Sequence, residues 1–402
     1  MVGLLVKPPL KGISTLHSTP DQEIASQNSA AQEIINSPLQ RVLITAGGTG
    51  GHIFPGLAVA EVLRQKNVEV QWVGTDYGLE KNLVPKANIP IHYLPVRGLR
   101  GKGLGRLFAM PLMLLKSISQ SRRLIKEFQP QVVLSLGGYA SGPLALAAKT
   151  SGIPLIVHEQ NAAPGLTNRV LAPMSAKVLA GLPSKLSSLS QYQEIGNPVR
   201  QEFVDLHSRQ QASSKQKGDG DEINVLIVGG SQGAQKLNLA VPIALQQIQE
   251  QYPDQLIRVV HQAGASKHEM TQNAYDQTHV RVDVVEFIDD MAGAFEWADI
   301  IIGRAGALTV AEVAAAGVAC LFIPLAIAVD DHQTLNARSL VDRDAALMVS
   351  EAELEGDALV KGLEILITDH NARKTIAQKA LELAKVNAAH DIVAAMEQLI
   401  QK

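Results

Sequence analysis

Cysteine, aromatic residues and long apolar runs are all scarce in this sequence. The single cysteine, Cys320, lies in the apolar run Ala319–Ile323, which excludes an internal disulfide and a cysteine-based metal site and is typical of a buried strand in a reducing compartment. Aromatic residues make up 4% of the chain, and small and aliphatic residues dominate, as in α/β proteins with buried parallel strands. No stretch approaches the roughly 20 apolar residues that cross a bilayer, and no secretion signal opens the chain. We therefore expect a cytosolic α/β protein.

The length of 402 residues fits two domains that meet at a cleft. Composition divides the chain into a mobile extension over residues 1–39, a first domain over 40–205, a polar linker over 206–222 and a second domain over 223–402. The extension mixes Ser, Gln, Pro and Glu without periodicity, and the linker is rich in Ser, Lys, Gly and Asp.

Short apolar runs alternate with helix-like stretches in both halves, which is the βαβ rhythm of a parallel sheet. The predicted strands are Val42–Ala46, Val68–Val73, Val132–Leu136, Ile153–Val157, Val178–Leu179, Val225–Val228, Ile257–Val260, Val282–Val285, Ile300–Ile302 and Leu321–Ile323. The pattern predicts an α/β fold with two doubly wound, Rossmann-like domains that face a cleft.

Each half opens with a strand that runs into a glycine-rich turn, Gly47–His52 in the first and Gly229–Ala234 in the second. Glycines between a strand and a helix let backbone N–H groups approach an anion, and the helix N-terminus favours negative charge. Neither turn fits the dinucleotide fingerprint or the Walker A lysine pattern. A tight strand-to-helix turn without a ligand is an equally good interpretation of each.

Several polar side chains follow predicted strands. His52 is suited to take a proton from a hydroxyl near neutral pH, although a lone histidine is more often structural. Thr309 and Glu312 have the spacing of a capping box, whereas the alternative makes Glu312 an acceptor for two ribose hydroxyls. The segments Gly137–Pro143 and His158–Asn161 fall at the sheet edge where α/β proteins bind ligands, and Asp330–Asn336 matches no specific metal template.

A basic segment without acidic residues spans residues 97–126 and surrounds the apolar run Leu107–Leu115. One interpretation is a solvated helix face. The other is an anionic membrane surface, which Lys and Arg attract while apolar side chains enter the interface; its predicted contacts are Arg97, Arg100, Lys102, Arg106, Leu107 and Phe108. Nucleic acid is not expected, because the net charge is −3 and stacking aromatics are missing.

Together these motifs resemble the MurG family of N-acetylglucosaminyltransferases, from about Arg41 to the C-terminus. The motifs that carry the resemblance are Gly47–Gly56, Gly98–Gly103, Gly137–Pro143, His158–Asn161, Gly196–Arg200, Gly229–Ala234, Phe287–Met291, Arg304–Glu312 and Asp330–Asn336. The resemblance implies the GT-B architecture and a last helix, near Ile376–Ile400, that crosses back to the first domain. Ala305 and Ala311 stand where some relatives carry serine.

The resemblance also implies roles for individual residues. The UDP-N-acetylglucosamine donor site comprises Thr49, Gly50, Gly51, Asn161, Arg200, Ser231, Ile288, Ala307, Leu308, Thr309, Val310, Ala311, Glu312, Gln333 and Asn336, with Ile288 on uracil, Glu312 on ribose, Ser231 on phosphate, and Gln333 and Asn336 on the sugar. Tyr139 and Glu159 lie on the acceptor side. The catalytic base is His52 or Glu159.

The implied reaction is an inverting transfer of N-acetylglucosamine to the 4-hydroxyl of undecaprenyl-diphospho-N-acetylmuramyl pentapeptide in peptidoglycan synthesis. The resemblance implies that the reaction needs no metal and no cofactor. It also implies a peripheral location on the cytoplasmic face of the bacterial inner membrane, with cell-wall synthesis or division proteins as partners. The alternatives are a lipid galactosyltransferase of related fold, a UDP-sugar 2-epimerase and a nucleotide-binding regulatory module. A nicotinamide dehydrogenase fits least, because both fingerprints fail.

Overall fold

A computed structural model of the chain describes residues 38–96, 104–212, 222–230, 233–326 and 331–401, and for 104–110 it describes the backbone alone. Within these residues the chain forms two sheets, one from each half. The predicted extension 1–39 lies outside the described residues except for Pro38 and Leu39. Leu39 is buried in the core of the first half, so the extension ends before it.

Both sheets consist of parallel strands in the described residues. The first has seven strands in the order β3-β2-β1-β4-β5-β6-β7, and the second has six in the order β10-β9-β8-β11-β12-β13. In chain order the strands are β1 (Arg41–Ala46), β2 (Glu69–Gly74), β3 (Ile91–Tyr93), β4 (Val132–Gly137), β5 (Leu155–Glu159), β6 (Lys177–Ala180), β7 (Tyr192–Glu194), β8 (Glu222–Val228), β9 (Leu256–Gln262), β10 (Arg281–Val285), β11 (Ile300–Gly303), β12 (Ala319–Phe322) and β13 (Leu347–Met348). The strand order reverses beside β1 and beside β8, which is the doubly wound topology that the sequence predicted.

The described helices connect these strands. In chain order they are α1 (Gly50–Gln65), α2 (Glu80–Lys86), α3 (Leu104–Phe128), α4 (Ser141–Thr150), α5 (Leu166–Leu171), α6 (Gln201–Ala212), α7 (Gln235–Gln251), α8 (His268–Tyr275), α9 (Met291–Trp297), α10 (Ala307–Ala316), α11 (His332–Val341), α12 (Asp357–Thr368), α13 (His370–Glu382) and α14 (Ala388–Ile400). The sequence missed β3, β7 and β13, because strands of two or three residues leave no periodic pattern.

Alternate residues of each strand enter different cores. Ile44 of β1 packs with α1, whereas its neighbour Leu43 packs with α3 and α4 on the other face. This is the period of two that a pleated strand imposes, and both faces of the parallel sheet are covered.

The chain's last helix joins the core of the first half. Ile392 and Met396 of α14 are buried beside Val59 of α1, whereas Ile376 of α13 belongs to the core of the second half. The sequence predicted one crossing helix near Ile376–Ile400. The structure divides that segment into two helices with different partners.

The predicted linker also begins too early. Residues 206–212 are the second half of α6, and Leu206 is buried with Phe203 and Phe295 in the core of the second half. The rings of Phe203 and Phe295 meet edge to face at 5.2 Å. Polar composition suggested a linker here because α6 exposes its other side, and 213–221 lie outside the described residues.

Candidate active site

The first glycine turn presents the start of α1. Gly48 has a φ of +94°, a conformation that costs little only for glycine. Thr49 is the extended N-cap of α1, so the predicted donor residues Thr49, Gly50 and Gly51 place their backbone at a helix N-terminus, where an anion is favoured.

His52 lies in the first turn of α1 and is half-buried. Its Nδ1 lies 3.2 Å from the carbonyl oxygen of Gly47. Because a carbonyl can only accept, the neutral imidazole carries its proton on Nδ1 and leaves Nε2 without one. That nitrogen points toward Gly137, where an added Cβ would lie only 3.4 Å away.

The first glycine turn touches the segment that follows β4. A Cβ on Gly138 would lie 2.9 Å from the backbone nitrogen and oxygen of Gly47, so the close approach of the two loops requires glycine there. Tyr139, the predicted acceptor residue, is next in the chain and is 51% exposed. The approach brings His52 and the Tyr139 loop to one edge of the sheet.

Glu159 is buried at the end of β5, with 1% exposure. One carboxylate oxygen accepts from the backbone nitrogen (2.9 Å) and the side-chain amide (3.3 Å) of Asn161, and the other accepts from the backbone nitrogen of Gly165 (3.0 Å) and the amide of Asn168 (2.9 Å). A carboxylate has about four lone-pair sites, and four donors occupy them. Glu159 therefore organises the loop that follows β5.

Two asparagine side chains join this loop to the second half. The Asn336 amide donates to the side-chain oxygen of Asn161 (3.1 Å) and to the carbonyl of Ala305 (3.1 Å), and its own oxygen accepts from the backbone nitrogen of Ala162 (3.0 Å). Asn197 donates to the carbonyls of Gln160 (3.1 Å) and Ala307 (3.3 Å). The Asn336 side chain is fully buried among these partners, and its contact with the sugar stays a prediction.

Glu312 pairs with Arg200 across the same region. The Arg200 guanidinium donates to the Glu312 carboxylate at 3.1 Å and packs against the rings of Phe54 and Phe203, at 5.5 and 5.2 Å. Burial raises the pKa of Glu312 to about 7, and Arg200 partly offsets this rise. The two residues predicted for ribose and diphosphate are therefore in direct contact.

Helix α10 begins at Ala307 with Gly306 as its N-cap, and no side chain caps it. The capping-box interpretation of Thr309 and Glu312 is therefore wrong: Thr309 already lies inside the helix. Gly317 ends α10 in the left-handed conformation.

The predicted nucleotide-lining residues of α10 divide between two environments. Ala307 and Val310 are buried in the second core, whereas Leu308, Thr309 and Ala311 are half-buried. Because a helix turns every 3.6 residues, the six side chains of Ala307–Glu312 point in different directions, and that of Val310 faces the core.

The other predicted donor residues lie in the second half. Gln333 is half-buried and accepts from the backbone nitrogen of Leu325 at 3.0 Å, and Ile288 packs half-buried against the second core. Ser231 lies outside the described residues. In the described part of the chain, no three His, Cys, Asp or Glu side chains form a cluster that could hold a metal ion.

Comparison with known proteins identifies the chain's relatives. Models of the glycosyltransferase family 28 N-terminal and C-terminal domains match residues 42–180 and 224–394. The UDP-N-acetylglucosamine–N-acetylmuramyl-(pentapeptide) pyrophosphoryl-undecaprenol N-acetylglucosamine transferase of Idiomarina loihiensis is 46% identical over 88% of this chain and 97% of its own length, and that of Shewanella denitrificans is 42% identical over 92% and 99%. The chain belongs to the MurG family of glycosyltransferases.

Solved structures agree with this assignment. MurG of Acinetobacter baumannii is 36% identical, with a TM-score of 0.74 over 89% of this chain and 99% of its own. A UDP-GlcNAc 2-epimerase of Neisseria meningitidis is 15% identical with a TM-score of 0.61 over 90% and 100%, a likeness of fold alone. The predicted family and GT-B architecture are confirmed.

Sequence reasoning missed two buried carboxylates that hold loops of this MurG-family site. Glu351 pairs with Arg304 and accepts from the backbone nitrogen of Ala326 at 3.4 Å, while Arg304 also donates to the carbonyls of Ile323 (3.0 Å) and Pro324 (3.3 Å). Glu80 is fully buried beside the first glycine turn. Apart from Thr75, which precedes Glu80 closely, their partners are distant in sequence, so no local pattern marks them.

The raised pKa of Glu312 predicts a pH dependence of stability. Between the ordinary value of 4.5 and about 7, the folded chain holds a proton that the unfolded chain has released. The free energy of unfolding should therefore fall as pH rises through this window, by at most about 1.4 kcal/mol per unit. Urea unfolding at a series of pH values should show this slope. It should flatten in Glu312→Gln but not in the exposed control Glu382→Gln; an unchanged slope in Glu312→Gln would contradict the assignment.

Proposed function

We propose that this chain transfers N-acetylglucosamine from UDP-N-acetylglucosamine to the 4-hydroxyl of undecaprenyl-diphospho-N-acetylmuramyl pentapeptide, a step of peptidoglycan synthesis. The observation that carries the proposal is family membership over nearly the full length, since relatives with this named activity reach 46% identity over 97% of their own length. The site geometry supplies groups for each part of the reaction.

The proposed base is His52. The acceptor hydroxyl oxygen attacks the anomeric carbon from the side opposite UDP, so the new C–O bond forms as the bond to the diphosphate breaks, with inversion. The hydroxyl proton passes to Nε2 of His52, which the contact between Nδ1 and the Gly47 carbonyl leaves unprotonated. Glu159 is the weaker candidate, because four N–H donors already occupy its oxygens.

Arg200 and Glu312 are the proposed donor contacts. An ionised Glu312 can accept from both ribose hydroxyls, and Arg200 can stabilise the negative charge of the leaving diphosphate together with the helix N-termini. In the structure these two side chains bind each other. We therefore propose that UDP-N-acetylglucosamine replaces part of this ion pair, and that no metal is required for the departure of UDP.

The proposed location is the cytoplasmic face of the inner membrane. The predicted contacts Arg97, Arg100 and Lys102, and the side chains of Arg106, Leu107 and Phe108, lie outside the described residues. Farther along α3, Leu112 and Leu115 are 74% and 65% exposed, near the exposed Lys116, Arg122, Arg123 and Lys126. No described helix is long and apolar enough to span a membrane. Exposed leucines beside cations support binding at a membrane surface.

The activity is tested by transfer of radiolabelled N-acetylglucosamine from its UDP donor to the lipid-linked muramyl pentapeptide. We expect labelled disaccharide lipid with and without a chelator. A diacylglycerol acceptor and a reaction without acceptor serve as controls. Label on diacylglycerol alone would favour the alternative activity of a lipid galactosyltransferase of related fold. Formation of N-acetylmannosamine without an acceptor would favour the activity of a UDP-sugar 2-epimerase.

The base is tested by His52→Ala. We expect kcat to fall by about 10²- to 10⁴-fold, which is the usual contribution of a general base, with little change in the Kd of UDP measured by calorimetry. His390→Ala, an exposed histidine on α14, is the matched control. Wild-type turnover in His52→Ala would exclude His52 as the base.

The membrane surface is tested by Leu112→Ser with Leu115→Ser. Sedimentation with phosphatidylglycerol vesicles should show binding weakened about thirtyfold, because each of the two exposed leucines that enters the interface contributes roughly 1 kcal/mol. The matched control is Leu239→Ser with Ile243→Ser, an exposed apolar pair on α7. Equal losses in the two double variants would contradict a specific role for α3.

A further inference from the structure

We infer that Glu80 is a positioning residue for the first glycine turn and, through that turn, for His52. Glu80 is the first residue of α2 and is fully buried. One carboxylate oxygen accepts from the backbone nitrogen (2.9 Å) and the hydroxyl (2.6 Å) of Thr75, and the other accepts from the backbone nitrogen of Gly48 (3.0 Å). The carboxylate therefore joins the end of β2 to the turn that precedes α1.

Three glycines surround this carboxylate closely. A Cβ added to Gly47, Gly74 or Gly78 would lie 2.6, 2.7 or 2.0 Å from the nearest Glu80 side-chain atom, distances that real Cβ atoms do not adopt. The surrounding backbone thus leaves room for the Glu80 side chain and for little else. A buried carboxylate is costly unless hydrogen bonds compensate, and here three donors do so.

The hydrogen bond to Gly48 fixes the part of the turn on which His52 depends. Gly48 follows Gly47, whose carbonyl holds Nδ1 of His52 and whose backbone touches Gly138. Fixing Gly48 in its left-handed conformation therefore orients the Gly47 carbonyl, and that carbonyl sets both the tautomer and the ring position of His52. The Gly48 N–H is also already occupied, so an anion at the start of α1 would meet the N–H groups that follow it.

Glu80 cannot act on the substrates directly, because it has no exposed surface. Its effect on the reaction must pass through the turn. The inference rests on the proposed function, since it assumes that His52 takes the acceptor proton. It goes beyond that proposal by naming the residue that keeps His52 in position.

The test compares Glu80→Gln with Thr75→Val in the full chain. The amide in Glu80→Gln keeps the size of the side chain but removes its charge and one of its two acceptor oxygens, so the bond to Gly48 is weakened or lost. Thr75→Val removes only the hydroxyl donor and leaves the Gly48 bond. We expect kcat to fall at least about tenfold in Glu80→Gln and to stay within about twofold in Thr75→Val, although both lower the urea midpoint.

A double-mutant cycle separates positioning from general destabilisation. If Glu80 acts through His52, Glu80→Gln combined with His52→Ala should have the same kcat as His52→Ala alone, within about twofold. Additive losses in the cycle, or wild-type kcat in Glu80→Gln, would overturn the inference.

A readout without catalysis keeps this inference separate from the proposed function. The NMR chemical shifts of the His52 ring nitrogens, which report which nitrogen carries the proton, should change in Glu80→Gln and not in Thr75→Val. If the wild-type chain transfers no N-acetylglucosamine, the proposed function fails, whereas unchanged shifts of the His52 ring nitrogens refute the positioning role by themselves. If the glutamine variant does not fold, Glu80→Asp replaces it in each of these experiments. Aspartate keeps the charge, but its side chain is one methylene shorter.

Discussion

Parallel pairing is the constraint on which the candidate site depends. In a parallel sheet all strands end at the same edge, so the segments that follow β1, β4 and β5 must meet there. Their meeting is close: Gly138 touches the backbone of Gly47, and Nε2 of His52 points toward Gly137. An antiparallel arrangement would place neighbouring loops at opposite edges. The second sheet repeats the arrangement, and asparagine side chains join the two sets of loops.

The two buried carboxylates at this edge are held by backbone, amide and hydroxyl donors. Glu159 organises the loop after β5, Glu80 holds the turn after β1, and Asn336 and Asn197 cross between the halves. A polar group buried without partners is costly, so each fixes the conformation of the chain that satisfies it. The loops are therefore fixed by hydrogen bonds within the protein, which is what a reaction that depends on orientation requires.

The Arg200–Glu312 pair is different, because both of its members are needed elsewhere in the proposed reaction. Burial disfavours the ionised carboxylate of Glu312, and Arg200 opposes that effect. An ion pair taken out of water gains little net stability, so its exchange for hydroxyl and diphosphate contacts need not be costly. In the proposed reaction the site thus combines loops that are fixed around His52 with an ion pair that the nucleotide replaces.

The amino-acid sequence alone determined the fold class, the family and the place of both glycine turns, because strand periodicity and glycine-rich turns are local patterns. It could not determine which side chains reach a ligand. The side chain of Val310 faces the core, and that of Asn336 binds the loop after β5. The start of the predicted linker is part of α6 and packs in the core of the second half, and the segment near Ile376–Ile400 forms two helices. No local sequence pattern marked Glu80 or Glu351 as a residue that holds a loop of the site. These outcomes depend on contacts between residues far apart in the chain, and only the folded backbone brings such partners together.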